Sequence, residues 1–211
     1  MSNLFTHCPP PRRWLLPVLG LLLAGAPAQA QFAPFVSYPT SSGSSYAALG
    51  DLNGDNRPDI VTSNIAVGIN TLLGQANGTF SAGANYPTSA NAAPFGLKLG
   101  DLNGDGRLDA VVANSNPNQS LSVLLGQANG TFGAASNFPT NTTGSTYNVA
   151  LGDVNGDGRL DAVTASGGGV GVFLGQAGGT LGAPIYFPNG NSTVSYSVDL
   201  GDVNGDGRLD A

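Results

Sequence analysis

The chain has 211 residues, of which 32 are glycine and only 9% are charged, with seven basic residues against thirteen acidic ones. A formal net charge of −6 without a basic cluster excludes the electrostatic footprint of a nucleic-acid binder. A single cysteine excludes a disulfide framework, so the fold must be held by other means.

Residues 1–30 read as a secretory signal peptide. Arg12 and Arg13 form a basic start, Trp14 to Ala24 an apolar run, and Ala28-Gln29-Ala30 a small-x-small cleavage site. The run is interrupted by Pro17 and is shorter than the roughly 20 residues that span a bilayer, so no membrane insertion is expected after cleavage. Removal of this segment takes away the only His, Cys and Trp and leaves thirteen aspartates against five basic residues, a net charge of −8. A secreted, extracellular or cell-surface location is expected.

From residue 31 onward the sequence repeats with a period near fifty. The first aspartates of four similar loops are Asp51, Asp101, Asp153 and Asp202, spaced by 50, 52 and 49 residues. The expected divisions are a segment at 31–44 able to supply an outer strand, repeats at 45–94, 95–146 and 147–195, and the start of a fourth at 196–211.

Each repeat reads as four short strands. Ahead of each loop, apolar residues alternate: Phe95, Leu97 and Leu99; Tyr147, Val149 and Leu151; Tyr196, Val198 and Leu200. Lys98 and Asp199 fall on the opposite parity, as a half-buried strand requires. A second strand follows the loop, and a third runs into Leu-Leu-Gly or Phe-Leu-Gly. Asn77-Gly78, Asn129-Gly130 and Gly178-Gly179 then supply turns that tolerate positive φ. A fourth strand runs from Phe80, Phe132 or Leu181 toward an aromatic-Pro pair. No helical periodicity is present. The expected fold is all-β, a β-propeller built of four-stranded antiparallel blades. Three repeats and an opening strand are fewer than the usual four or more blades, so an incomplete propeller, or a piece of a longer chain, is expected.

The loops hold nearly all the charge. Every acidic residue is an aspartate, and twelve of the thirteen lie in the four loops, as do Arg57, Arg107, Arg159 and Arg208. In the pattern D-x-N-x-D-G-x-x-D, oxygen-bearing side chains stand at positions 1, 3, 5 and 9, with the backbone carbonyl of the arginine at position 7 as a further ligand. Hard oxygen ligands without His or Cys suit Ca²⁺. Each loop carries three aspartates and one arginine, so one Ca²⁺ would neutralise it. A helical EF-hand closes with an acidic residue at position 12. Here that position is Thr62, Val112 or Thr164.

With these loops, and with Phe132-Gly133-Ala134 and Leu181-Gly182-Ala183-Pro184, the chain resembles the FG-GAP or VCBS-type repeats of integrin alpha-chain propellers and of bacterial secreted proteins. The resemblance implies a propeller with Ca²⁺ between the first two strands of each blade. Its implied metal ligands are Asp51, Asn53, Asp55, Arg57 and Asp59; Asp101, Asn103, Asp105, Arg107 and Asp109; Asp153, Asn155, Asp157, Arg159 and Asp161; and Asp202, Asn204, Asp206, Arg208 and Asp210. The first loop departs from the pattern with Asn56 in place of glycine and Pro58 at position 8. Asn is among the residues that tolerate left-handed backbone geometry.

The mature segment lacks His, Cys and Glu, which removes the usual general bases and nucleophile pairs. No catalysis is expected from it. The expected function is an extracellular calcium-binding scaffold or adhesion module for a protein or glycan partner. The alternative is a non-catalytic propeller arm of a larger secreted hydrolase or glycan-active enzyme.

Overall fold

The loops identified above become tight connections between antiparallel strands, because each is bounded by a glycine and a buried aspartate that pair directly across the ladder. Gly50 pairs with Asp59, Gly100 with Asp109 and Gly152 with Asp161. The computed structural model describes residues 35–40, 43–89, 93–115, 119–140, 144–190 and 194–211. Residues 1–30, read above as a signal peptide, lie outside these. Residues Ser37–Ala211 form one compact unit, and of the other, Met1–Val36, only Phe35 and Val36 are described.

The first sheet contains β1 (Ser44–Gly50), β2 (Asp59–Asn64), β3 (Gly68–Gly74) and β4 (Phe80–Tyr86), in that spatial order and antiparallel throughout. The second contains β5 (Ala93–Gly100), β6 (Asp109–Ser115) and β7 (Ser120–Leu124). A two-residue hairpin of β8 (Gly126–Gln127) and β9 (Thr131–Phe132) follows, and β10 (Ser136–Pro139) then adds as the outer strand. The third repeats this plan with β11 (Thr146–Gly152), β12 (Asp161–Ser166), β13 (Gly169–Phe173), β14 (Gly175–Gln176), β15 (Thr180–Leu181) and β16 (Ile185–Pro188). These are three consecutive four-stranded blades. They do not close into a ring, as expected for an incomplete propeller.

Three sequence expectations are modified. The fourth strand is continuous only in the first blade. In the other two it breaks where the Gly133 and Gly182 amides turn inward to donate to the Leu125 and Leu174 carbonyls, each at 2.8 Å, and in the third Pro184 has no N–H to continue a ladder. The strand expected before the fourth loop is reduced to isolated bridges, Gly201 with Asp210 and, upstream, Val194 with Gly167. Residues 35–40 carry no strand, although the Tyr38 ring packs edge-on against Phe80 at 5.3 Å.

The core lies between blades. Because successive side chains of a strand face opposite sides, β6 sends Ala110 and Val112 toward the first blade, into one cluster with Val61 and Ile69 of that blade and Leu97 of the neighbouring β5. Val111 and Ala113 face the third blade and meet Val149, Ala162 and Phe173. All seven residues of β6 are therefore buried. Such a strand must be apolar or small on both faces, as Asp-Ala-Val-Val-Ala-Asn-Ser nearly is.

Candidate metal centre

Each loop is wound around its first aspartate. In the second loop, Oδ1 of Asp101 accepts from the Gly104 and Asp105 amides at 2.8 and 3.1 Å, and Oδ2 from the Gly106 amide at 2.8 Å. The third and fourth loops repeat these bonds on Asp153 and Asp202. In the first, Asp51 takes the amides of Asn53, Gly54, Asp55 and Asn56. The winding needs left-handed residues at positions 4 and 6. Position 6 has φ of 80°, 81° and 81° at Gly106, Gly158 and Gly207, and 61° at Asn56. The departure in the first loop is thus accommodated without loss of the turn.

Position 3 continues the winding, with Oδ1 of Asn53, Asn103, Asn155 and Asn204 accepting from the amide of position 5 at 2.8 to 3.0 Å. Position 5 accepts the amide of position 7 in turn. The side chains of Arg57, Arg107 and Arg159 bind the position-5 carboxylates, and their Nε atoms donate to the carbonyls of Gly74, Gly126 and Gly175 at 3.0 to 3.1 Å. The arginine side chain therefore ties the loop to Gly74 at the end of β3, or to Gly126 and Gly175 at the start of β8 and β14 just past the third strand. The repeat pattern shows that an arginine recurs but not what it reaches, since its partner lies 16 to 19 residues away.

The ninth position differs in kind. Asp59, Asp109 and Asp161 are fully buried. Oδ2 of each accepts the amide of position 2 (Leu52, Leu102, Val154) at 2.8 to 2.9 Å. Oδ1 accepts the amide of Gly74, Gly126 or Gly175 at 2.7 Å. In the fourth loop Asp210 keeps the Val203 amide at 3.1 Å. In the first three loops this residue pins the start of the loop to the glycine at or just past the end of the third strand.

The loop electrostatics follow. Asp153 and Asp202 are held below the ordinary carboxylate value, foremost by the Gly158 and Gly207 amides. Asp109 is pushed up, first by burial, with the charges of Asp105 and Asp101 adding to it.

Ca²⁺ fits the donor chemistry of these loops. All side-chain donors are oxygen, and a carboxylate has about four acceptor sites, so positions 1 and 5 retain capacity beyond their amide bonds. One of the three carboxylates per loop is ion-paired in the first three loops. Positions 1, 3 and 5 share the winding of one turn, whereas position 9 is turned toward the strands. Among the described residues no three His, Cys, Asp or Glu side chains are gathered in one metal-holding group.

A solved structure described as the basis of specific recognition of non-reducing terminal N-acetylglucosamine by an Agrocybe aegerita lectin is similar, at 23% identity and a TM-score of 0.47. The match covers 69% of this chain and 38% of that one, so this chain spans well under two thirds of that protein's length. No curated protein matches the sequence. The model of the FG-GAP-like repeat matches three times, over residues 51–112, 101–164 and 154–211, each match opening at or beside one acidic loop and reaching into the next. The aspartate-wound loops and the four-stranded blades that carry them are therefore those of the FG-GAP-like repeat family, to which the chain belongs.

Proposed function

We propose that the chain is an extracellular binding scaffold whose blades are locked by Ca²⁺ in the loops between their first two strands. The observation that carries this reading is the excess of oriented carboxylate. Each loop fixes three aspartates by backbone amides and offers one arginine in return, leaving a charge of −2 on a turn of nine residues. A divalent cation offsets that charge, and its ligands are the position-1 and position-5 aspartates, the position-3 asparagine and the position-7 carbonyl. The position-9 aspartate contributes from the buried side while holding the strands together.

The role is non-catalytic. Asp199 is the one aspartate outside the loops, and it is exposed, accepting the Leu200 amide at 3.1 Å. Exported by its leader segment, the scaffold presents its blade edges to a protein or glycan surface. Calcium affinity in the range of about 10⁻⁴ to 10⁻³ M suits extracellular modules.

Titration calorimetry with Ca²⁺ and with Mg²⁺, paired with melts in calcium and in chelator, tests the reading. Calcium-selective heat and a melting temperature that rises with calcium are expected, because a ligand of the folded state stabilises it by mass action. Identical melts and no heat at several millimolar calcium would remove the metal from the account.

A further inference from the structure

The dipeptide Asn-Gly recurs once in each loop, as Asn53-Gly54, Asn103-Gly104, Asn155-Gly156 and Asn204-Gly205, and again in the first two hairpins, as Asn77-Gly78 and Asn129-Gly130. Such a pair can close on itself, because glycine has no side chain to keep its amide nitrogen away from the asparagine Cγ. Closure requires that amide to give up its proton, and it places a negative charge on Oδ1 of the asparagine.

The fold sorts these pairs. In every loop the glycine N–H donates to Oδ1 of the first aspartate, at 2.6 to 2.8 Å. Taking a proton from an amide that lies against a carboxylate leaves two negative charges in contact, which Coulomb repulsion opposes. Asn103 and Asn155 are held from the other side as well, their Nδ2 atoms donating to the position-5 carboxylates at 2.9 and 3.0 Å. In the second hairpin, Gly130 is buried against Leu52 and Asn53 of the first loop.

Asn77-Gly78 is held differently. The Gly78 amide donates to a neutral acceptor, the Gln75 carbonyl, at 2.9 Å. Oδ1 of Asn77 accepts from the Thr79 amide at 3.1 Å and from the Thr79 hydroxyl at 2.6 Å. Two donors thus already face the atom on which charge would develop, the arrangement that stabilises an oxyanion. Asn77 is exposed, as is Asn129 at the same place in the next hairpin, so solvent reaches the tip.

We infer that Asn77 is a site of spontaneous conversion to aspartate and isoaspartate, and that the loop asparagines are latent sites of the same kind, each kept closed by the first aspartate of its own loop. The Gly78 nitrogen loses its proton to hydroxide and bonds to Cγ of Asn77. Nδ2 then leaves as ammonia, taking a proton from water, and a succinimide ring remains. Water opens the ring at either carbonyl, so one water is consumed, one ammonia is released and nothing is oxidised or reduced. None of the bonds that open or close these sites involves the metal.

Incubation of the folded full chain at mildly alkaline pH in calcium-free buffer, followed by peptide mapping with mass spectrometry and an isoaspartate-specific label, tests this. Asn77 is expected to convert to a mixture of the two acids while Asn53, Asn103 and Asn155 stay intact. Thr79→Val is expected to slow Asn77 about tenfold through the loss of one hydrogen bond, and Thr79→Ser to keep the parent rate. Asp153→Asn should open Asn155 while Asn103, whose aspartate is untouched, remains unconverted; this separates loss of the lock from a general loosening of the fold. Loop asparagines that convert as fast as Asn77, a Thr79→Val chain that converts at the parent rate, or an Asn155 unmoved by Asp153→Asn overturns the inference.

Discussion

The Leu160 side chain fills the space above Gly100, so that a Cβ on that glycine would come within 2.8 Å of its Cδ1. The loop of one repeat is thus seated on the strand of the one before. Gly100→Val is expected to destabilise the protein by about 1–3 kcal/mol, the usual cost of overpacking, measured by urea unfolding. The same substitution at Gly201, with nothing around it, is expected to stay within about 0.5 kcal/mol. Equal losses at both positions would contradict the seat.

Asp161 accepts two amides while fully buried, Val154 at 2.9 Å and Gly175 at 2.7 Å. Asp161→Ala strands both donors, at a cost of about 1–3 kcal/mol each. Asp161→Asn keeps one acceptor and is expected to fall between alanine and the parent. Because the pin belongs to the fold, the loss should persist in chelator, which separates it from any loss of metal; a deficit seen only with calcium would refute this role.

Asn56 holds φ at 61° where the other loops have glycine. Asn56→Ala is expected to cost about 1–2 kcal/mol through left-handed strain, whereas Asn56→Gly should be neutral or slightly stabilising. Melting temperatures of the two variants check the order.

Acid should weaken the loops in calcium-free buffer. The Asp153 carboxyl lies below its ordinary value, foremost through the Gly158 amide; partial desolvation opposes this, and the Gly156, Asp157 and Asn155 amides add to it. A depressed folded value gives stability that is fully present above the unfolded pKa of about 3.9 and is lost as the pH falls through the folded value. Asp109, raised by burial, acts with the opposite sign, its contribution fading as the pH rises through its folded value. Urea unfolding across pH 2–6 reads the sum, and Asp153→Asn should flatten the acid limb. An unchanged limb in that variant would show that the carboxylate does not couple to folding.

The sequence discloses the blade plan because period and parity are local signals: Leu97 and Val149 are buried and Lys98 is exposed, as their alternation requires. It also discloses the left-handed turn at Asn56, since backbone tolerance belongs to the residue type. The separate duty of Asp59, Asp109 and Asp161 is not visible there. In the string they look like the other loop aspartates, and the amides that claim them at Gly74, Gly126 and Gly175 lie 14 to 17 residues onward. The broken fourth strand is hidden for a similar reason, since Phe132 and Leu181 continue the pattern of Phe80 but the following amides turn back to Leu125 and Leu174.

Position 2 of the loops is covered in steps along the chain: Leu52 and Leu102 are each 5% exposed, Val154 is half-buried, and Val203 is 86% exposed. The first loop is sheltered by the hairpin at Gly130 and the second by the hairpin at Gly179, each belonging to the repeat after it, so a repeat borrows part of its persistence from its successor in the manner of a one-dimensional stack.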